Sequence, residues 1–278
     1  MSHSIKISEF NDIYYQNVNF NDDSSFYLEH ATRFSPPHFH SAVELVYILD
    51  GNTEFNCNGE NFNACKGDIV VINSNAVHSF NLSSPKADYY FLMVDEKFLR
   101  KNNLYSVNTL FNNKINEEVS CYLFEKIIKE NKEKDNFKNA SIAANIMSLF
   151  VHLNRNHLSI NKENKLNIKK LNVVRVTLDY IHNNYKDKIK IDDLAKQLYF
   201  SKSYLSHTFK EITNYTIVDY TNLIRCRTAK ALISNGSEIN EAALSCGFID
   251  ISYFTRVFKK TLGMLPSAVR AKHTPQKK

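Results

Sequence analysis

A polar stripe occurs twice towards the C-terminal end of this chain, and it constrains the fold more than any other feature. Ser203, Ser206, His207 and Lys210 stand at i, i+3, i+4 and i+7, and Ser252, Thr255, Arg256 and Lys259 repeat that spacing 49 residues later. An apolar stripe accompanies each copy: Tyr204, Leu205 and Phe209, then Tyr253, Phe254 and Phe258. Residues three and four apart share a helix face, so each copy predicts a short helix with one side buried and the other carrying small hydroxyls and a cation. Such a face fits a DNA groove without steric block and can hydrogen-bond to base edges. Two copies point to a chain that reads two segments of duplex.

The flanking residues extend the repeat. Asp192 and Asn240 are predicted to cap a short helix ahead of each stripe, and Ser201 and Asp250 to cap the stripe-bearing helices themselves. Ile191, Ala195 and Phe200 match Ile239, Ala243 and Phe248 at an offset of 48, so the second copy has one extra residue after its turn. Gly247 supplies tolerance for positive φ there. Each unit reads as helix, turn, helix, with residues 217–234 as one long helix between them. Charge follows the same division. The net charge is +6; from Asn172 onward there are 17 Lys+Arg against 9 Asp+Glu, leaving 18 against 20 before it. The cationic excess sits beside the reading helices, where a phosphate backbone requires it.

The first ~100 residues have a period near two. Strands are predicted at 26–32, 42–49, 53–57, 68–72, 78–82 and 89–94, punctuated by Asp50-Gly51, Asn58-Gly59 and Lys66-Gly67. This pattern implies an antiparallel barrel or sandwich. Helical spacing follows at 117–130, with Val119, Leu123, Ile127 and Ile128 on one face. It recurs at 141–153, with Ile142, Ile146, Leu149, Phe150 and Leu153. These helices could cap the barrel or pair with a second copy of the chain. The polar stretch 154–170 is the expected linker, so the expected organisation is a β-rich domain over 1–153 and an all-α domain over 171–278. The five cysteines form no CxxC pair, which fits free thiols in a reducing compartment. No apolar run approaches membrane-spanning length, and the start lacks the apolar core of a signal peptide, so a cytoplasmic location with no membrane partner is expected.

The C-terminal hundred residues closely resemble the AraC family of bacterial transcription regulators. The likeness rests on IDDLAKQLYFSKSYLSHTFKEIT, DYTNLIRCRTAKALI and INEAALSCGFIDISYFTRVFKKTLGMLPSAVR. Three positions depart from the family pattern: Asn214 stands for a usual Gly, Leu265 for a usual Thr and Val269 for a common aromatic. The resemblance implies a double helix-turn-helix domain. Base-facing residues would be Ser203, Ser206 and His207 in the first reading helix, and Ser252, Thr255 and Arg256 in the second. Lys210, Lys259 and Lys260 would meet phosphates. It also implies promoter DNA, RNA polymerase, a small-molecule effector (a sugar as the family-level expectation) and a second copy of the chain as partners, with activation the expected role. Arg225 and Arg227, on the long helix, are expected to form structural salt bridges.

His38, His40 and Glu44, followed by Gly51, have the spacing HxHxxxExxxxxxG, and His78 comes one strand later. This resembles the first cupin motif and half of the second. Three imidazoles and a carboxylate could hold Fe, Mn, Ni or Zn, or line a polar ligand pocket. Asn73 and Asn75 stand where metal-binding cupins usually have Pro and Gly, so the expectation is a sensor without cofactor or catalytic residues. The alternative is a metal-dependent cupin enzyme with a helical regulatory tail.

Overall fold

The computed structural model describes residues 25–32, 34–82, 87–106, 108–159 and 165–271. The chain divides into two compact units, with the division falling between Ile168 and Lys169.

Among the described residues the first unit holds nine strands in two antiparallel sheets. They are β1 (Phe26–Ala31), β2 (Ser35–His38), β3 (Val43–Asp50), β4 (Asn52–Cys57), β5 (Glu60–Cys65), β6 (Ile69–Ile72), β7 (His78–Leu82), β8 (Asp88–Val94) and β9 (Lys114–Ile115). One sheet runs β1-β8-β3-β6-β9 and the other β2-β7-β4-β5. Helices α1 (Glu96–Lys101), α2 (Glu118–Glu130) and α3 (Lys138–Asn156) complete the unit. All six predicted strands form. β2, β5 and β9 lie outside the predicted strands: Ser35–His38 contains two prolines, β5 carries exposed Glu60, Asn61 and Asn63, and β9 is two residues long, so none shows the apolar alternation of a half-buried strand.

Strand β3 explains how the layers meet. Alternate residues point to opposite faces of a sheet. Val43, Leu45 and Tyr47 pack with Phe124 and Ile127 of α2 and with Ile142, Ile146, Leu149, Phe150 and Leu153 of α3. Val46 and Ile48 pack with Phe55 and Phe80 of the other sheet. Glu44 has the parity of Val46 and Ile48. A carboxylate therefore stands on the buried inner face. Each large apolar side chain buried in these two layers contributes roughly 1.5–3 kcal/mol.

The helical pair differs from expectation at its edges. Val119 is exposed, and the buried face of α2 is instead Ser120, Phe124 and Ile127. Of the two roles open to the apolar stripe, the one seen is the capping of the chain's own sheet. The predicted 154–170 linker is helical at both ends, because α3 continues to Asn156 and α4 (Lys165–Asn184) starts before Lys170. A polar composition does not forbid helix where the spacing of apolar residues permits it.

The second unit continues with α5 (Ile191–Gln197), α6 (Lys202–Thr213), α7 (Ile217–Ser234), α8 (Ile239–Ser245), α9 (Ile251–Leu262) and α10 (Pro266–Ala271). Ser201 and Asp250 cap α6 and α9 through Tyr204 N and Tyr253 N. Asp192 and Asn240 are not caps. They lie inside the first turns of α5 and α8, whose cap positions are Lys190 and Glu238 without side-chain cap bonds.

Candidate functional site

The two helix-turn-helix units close by the same backbone device. After α5, Tyr199 N donates to Lys196 O (3.1 Å) and Phe200 N to Ala195 O (2.9 Å); after α8, Gly247 N donates to Leu244 O (3.0 Å) and Phe248 N to Ala243 O (3.0 Å). Both are the paired bonds that end a helix on a left-handed residue, with φ +58° at Tyr199 and +84° at Gly247. Only the second needs glycine for space as well, because a Cβ on Gly247 would lie 2.2 Å from the Lys186 carbonyl oxygen. Asn214 and Gly263 end α6 and α9 at φ +64° and +69°, so Asn214 does the work of the usual glycine.

This closure fixes α6 and α9 against their cores. Leu205, Thr208 and Phe209 of α6 and Phe254 and Phe258 of α9 are buried. Ser203, His207, Lys210, Ser252, Arg256, Lys259 and Lys260 are exposed, and Ser206 and Thr255 are half-buried. Both stripes thus face outward as one surface on each helix. Tyr253, expected in the apolar stripe, is instead 39% exposed, and the Arg256 guanidinium lies 5.6 Å from its ring centre. The Thr255 hydroxyl donates to Ile251 O (2.9 Å), which leaves its oxygen as an acceptor toward a base. His207 Nδ1 lies 3.7 Å from the Glu211 carboxylate, which Lys170 also holds at 2.6 Å. Arg225 is structural, as expected, but bonds to carbonyls: its Nε donates to Tyr185 O (2.6 Å) and its guanidinium to Asp187 O (2.7 Å).

The four residues singled out near the start of the chain also converge, and they do so from both sheets. His38 ends β2 in the four-stranded sheet, and Glu44 stands on β3 in the five-stranded one. The chain changes sheets between them. His78, on β7, is the cross-strand partner of His38. All four are buried, and one ligand atom from each lies within 4.8 Å of the others. His40 Nε2 is 3.0 Å and His78 Nε2 3.3 Å from Glu44 Oε2.

The opposite ring nitrogens fix the protonation. Nδ1 of His38 faces Pro36 O (2.8 Å), that of His40 faces Ala42 O (3.1 Å) and that of His78 faces Ala76 O (2.9 Å). A carbonyl only accepts, so each Nδ1 carries the proton. Burial holds His38 and His40 below the ordinary imidazole range, with the neighbouring imidazole charges adding to the effect. A neutral ring has one N–H, so a neutral His40 that donates to Ala42 O cannot also donate to Glu44 Oε2, 3.0 Å from its Nε2. A buried Glu44 carboxylate among three imidazoles would be matched by a cation. His78 Nε2 also lacks a hydrogen-bond partner.

The two asparagines that interrupt the second motif do not disturb this geometry. Asn73 Nδ2 donates to Phe111 O (3.0 Å) and its Oδ1 accepts from Phe111 N (2.8 Å), pinning the chain ahead of β9. Asn75 adopts φ +61°, which is the turn conformation a glycine would supply.

Comparison with known proteins joins these two regions. A helix-turn-helix domain model matches residues 194–272, and an AraC-like ligand binding domain model matches residues 24–102. The HTH-type transcriptional regulator YdeC of Bacillus subtilis is 25% identical over 248 residues, 84% of this chain and 85% of that protein. The Msm operon regulatory protein of Streptococcus mutans is 35% identical over 91 residues, 32% of this chain and 33% of that protein. A crystal structure of an apo ToxT variant from Vibrio cholerae aligns with 90% of this chain and 98% of its own, with a TM-score of 0.50 and 16% identity. That last likeness concerns the fold alone.

Proposed function

The chain belongs to the AraC family of transcription regulators, with a helix-turn-helix DNA-binding domain and an N-terminal ligand-binding domain, and we propose that its buried histidine centre is the sensing site and holds a divalent transition-metal ion. The observation that carries this reading is the convergence of imidazole nitrogens on a buried carboxylate, with each opposite nitrogen tied to a backbone carbonyl. That is how protein matrices orient metal-ligating histidines. The 3.0 and 3.3 Å separations suit adjacent ligands on an ion with bonds of about 2.0–2.1 Å, which at tetrahedral angles stand roughly 3.3 Å apart. His38, His40, Glu44 and His78 would hold the ion, which would present a Lewis-acidic point to a small polar effector, a sugar being the class in view. No catalytic residue is assigned.

In this reading α6 and α9 carry the base-reading residues, and Lys210, Lys259 and Lys260 hold phosphates. Effector binding acts on them only through a difference in affinity for two arrangements of the chain. The chain acts as an activator, with RNA polymerase and a second copy as partners. The second copy is met not by the buried stripe of α2 but by its exposed Val119 and Tyr122.

Metal analysis and native mass spectrometry of purified full-length protein test the centre. One tightly held ion is expected there, absent from His40→Ala, while DNA affinity without effector stays unchanged. Retention of the same metal content by His40→Ala sinks the metal assignment. Substrate turnover lost on chelation would instead favour the enzyme reading.

A further inference from the structure

A second cluster of metal-ligating side chains lies where α2 begins and α3 ends. Glu117 is the residue before α2, His152 sits in the last turns of α3, and His157 follows its last residue. One ligand atom from each lies within 4.8 Å of the others. His152 Nε2 is 2.8 Å and His157 Nε2 3.4 Å from Glu117 Oε1. Nothing in the local sequence announces this set, because its members are separated by 35 and 5 residues and no motif spans them.

We propose that Glu117, His152 and His157 form a second site for a divalent transition-metal ion, distinct from the buried histidine centre. Two imidazoles and one carboxylate favour Zn²⁺, Co²⁺ or Ni²⁺ over Mg²⁺ or Ca²⁺. Three protein ligands leave the remaining positions to water, and side-chain exposures of 29%, 20% and 19% give water that access.

Two observations support the assignment. The His157 Nε2 atom is buried and has no hydrogen-bond partner, although it points at a carboxylate oxygen. Glu117 Oε1 already accepts from Ser120 N (2.9 Å) and from the Ser120 hydroxyl, so the carboxylate is oriented before any ion arrives. At His152, the Asn156 amide lies 3.2 Å from Nδ1. Turned over, that amide would present its carbonyl to an Nδ1 proton and free Nε2 for the ion, at the expense of its bond to the His152 carbonyl.

The site ties the start of one helix to the end of the other. It also touches the exit of α3, where His157 O accepts from Asn112 N (2.9 Å) and Leu158 pairs with Phe111. A bound ion would therefore stiffen the chain as it leaves the α2–α3 pair.

Titration of the full chain with Zn²⁺, and with Co²⁺ as an optical probe, tests this. Wild type is expected to take up one more ion than His157→Gln, whatever the buried centre holds, and His40→Ala is expected to keep that ion. A Zn²⁺-dependent rise in melting temperature should be present in His40→Ala and lost in His157→Gln, with matching circular dichroism spectra showing that the variants fold. Equal ion counts in wild type and His157→Gln, or a second ion lost in His40→Ala but kept in His157→Gln, would overturn the second site without bearing on the first.

Discussion

The two helix-turn-helix units share a plan and differ in how tightly chemistry constrains each one. The first turns on Tyr199, an exposed residue forced into the left-handed region, where a side chain costs roughly 1–2 kcal/mol. The second turns on Gly247, packed so closely against Lys186 that no side chain fits. The reading faces differ too. In the first, the imidazole of His207 stands near Glu211. In the second, Arg256, Lys259 and Lys260 are exposed and form no ion pair among the described residues. The lesson is that the second unit carries both the stricter backbone and the freer positive charge, so it should dominate base-specific recognition.

The largest effect is expected at the turns. Gly247→Ala should destabilise the second unit by about 3 kcal/mol through clash and strain together, whereas Tyr199→Gly should change stability by about 1 kcal/mol or less, since relief of strain is offset by greater freedom of the unfolded chain. Chemical denaturation of the full chain measures both. Comparable losses at the two turns would erase the asymmetry.

Next comes recognition. Arg256→Ala should weaken binding to a selected site by ~1–3 kcal/mol and relax preference at one base position, and Lys259→Ala should weaken all sequences alike and lower the salt slope by about 1. His207→Ala should cost less than Arg256→Ala. Binding titrations at several salt concentrations decide this, and a larger loss at His207 would reverse the ranking of the two helices.

A further effect concerns pH. Burial lowers His182, whose Nε2 lies 3.0 Å from the Tyr220 hydroxyl, from its ordinary 6.5 to about 4. Unfolding releases this constraint, so the unfolded chain takes up the proton first. Stability is full above 6.5 and declines as pH falls towards 4. Thermal melts across that interval should show a slope that His182→Gln flattens; an unchanged slope would place the acid sensitivity elsewhere.

How far the sequence carried the fold depended on whether a signal was local. The stripes, the caps at Ser201 and Asp250 and the bounds of α7 were legible because each arises within a few residues. The caps assigned to Asp192 and Asn240 were not, since α5 and α8 begin without side-chain caps and such acids also suit a first turn. The spacing of His38, His40 and Glu44 announced a shared site, but not that the chain changes sheets between them, because register is set by partners distant in sequence. The doubt raised by Asn73 and Asn75 came from reading residue types without their bonds. Val119 looked like core because periodicity cannot say which of two adjacent faces a sheet will cover.

The central claim is that α6 and α9 read one duplex at two places, with the second more selective. Selection of full-length protein on a random duplex pool, followed by hydroxyl-radical footprinting of the enriched site, tests it most directly. Two protected blocks are expected, centred about 10 base pairs apart, as successive major-groove faces require, with the stronger consensus under α9 and lost in Arg256→Ala. A single protected block, or a footprint and consensus unchanged by Arg256→Ala, would contradict it.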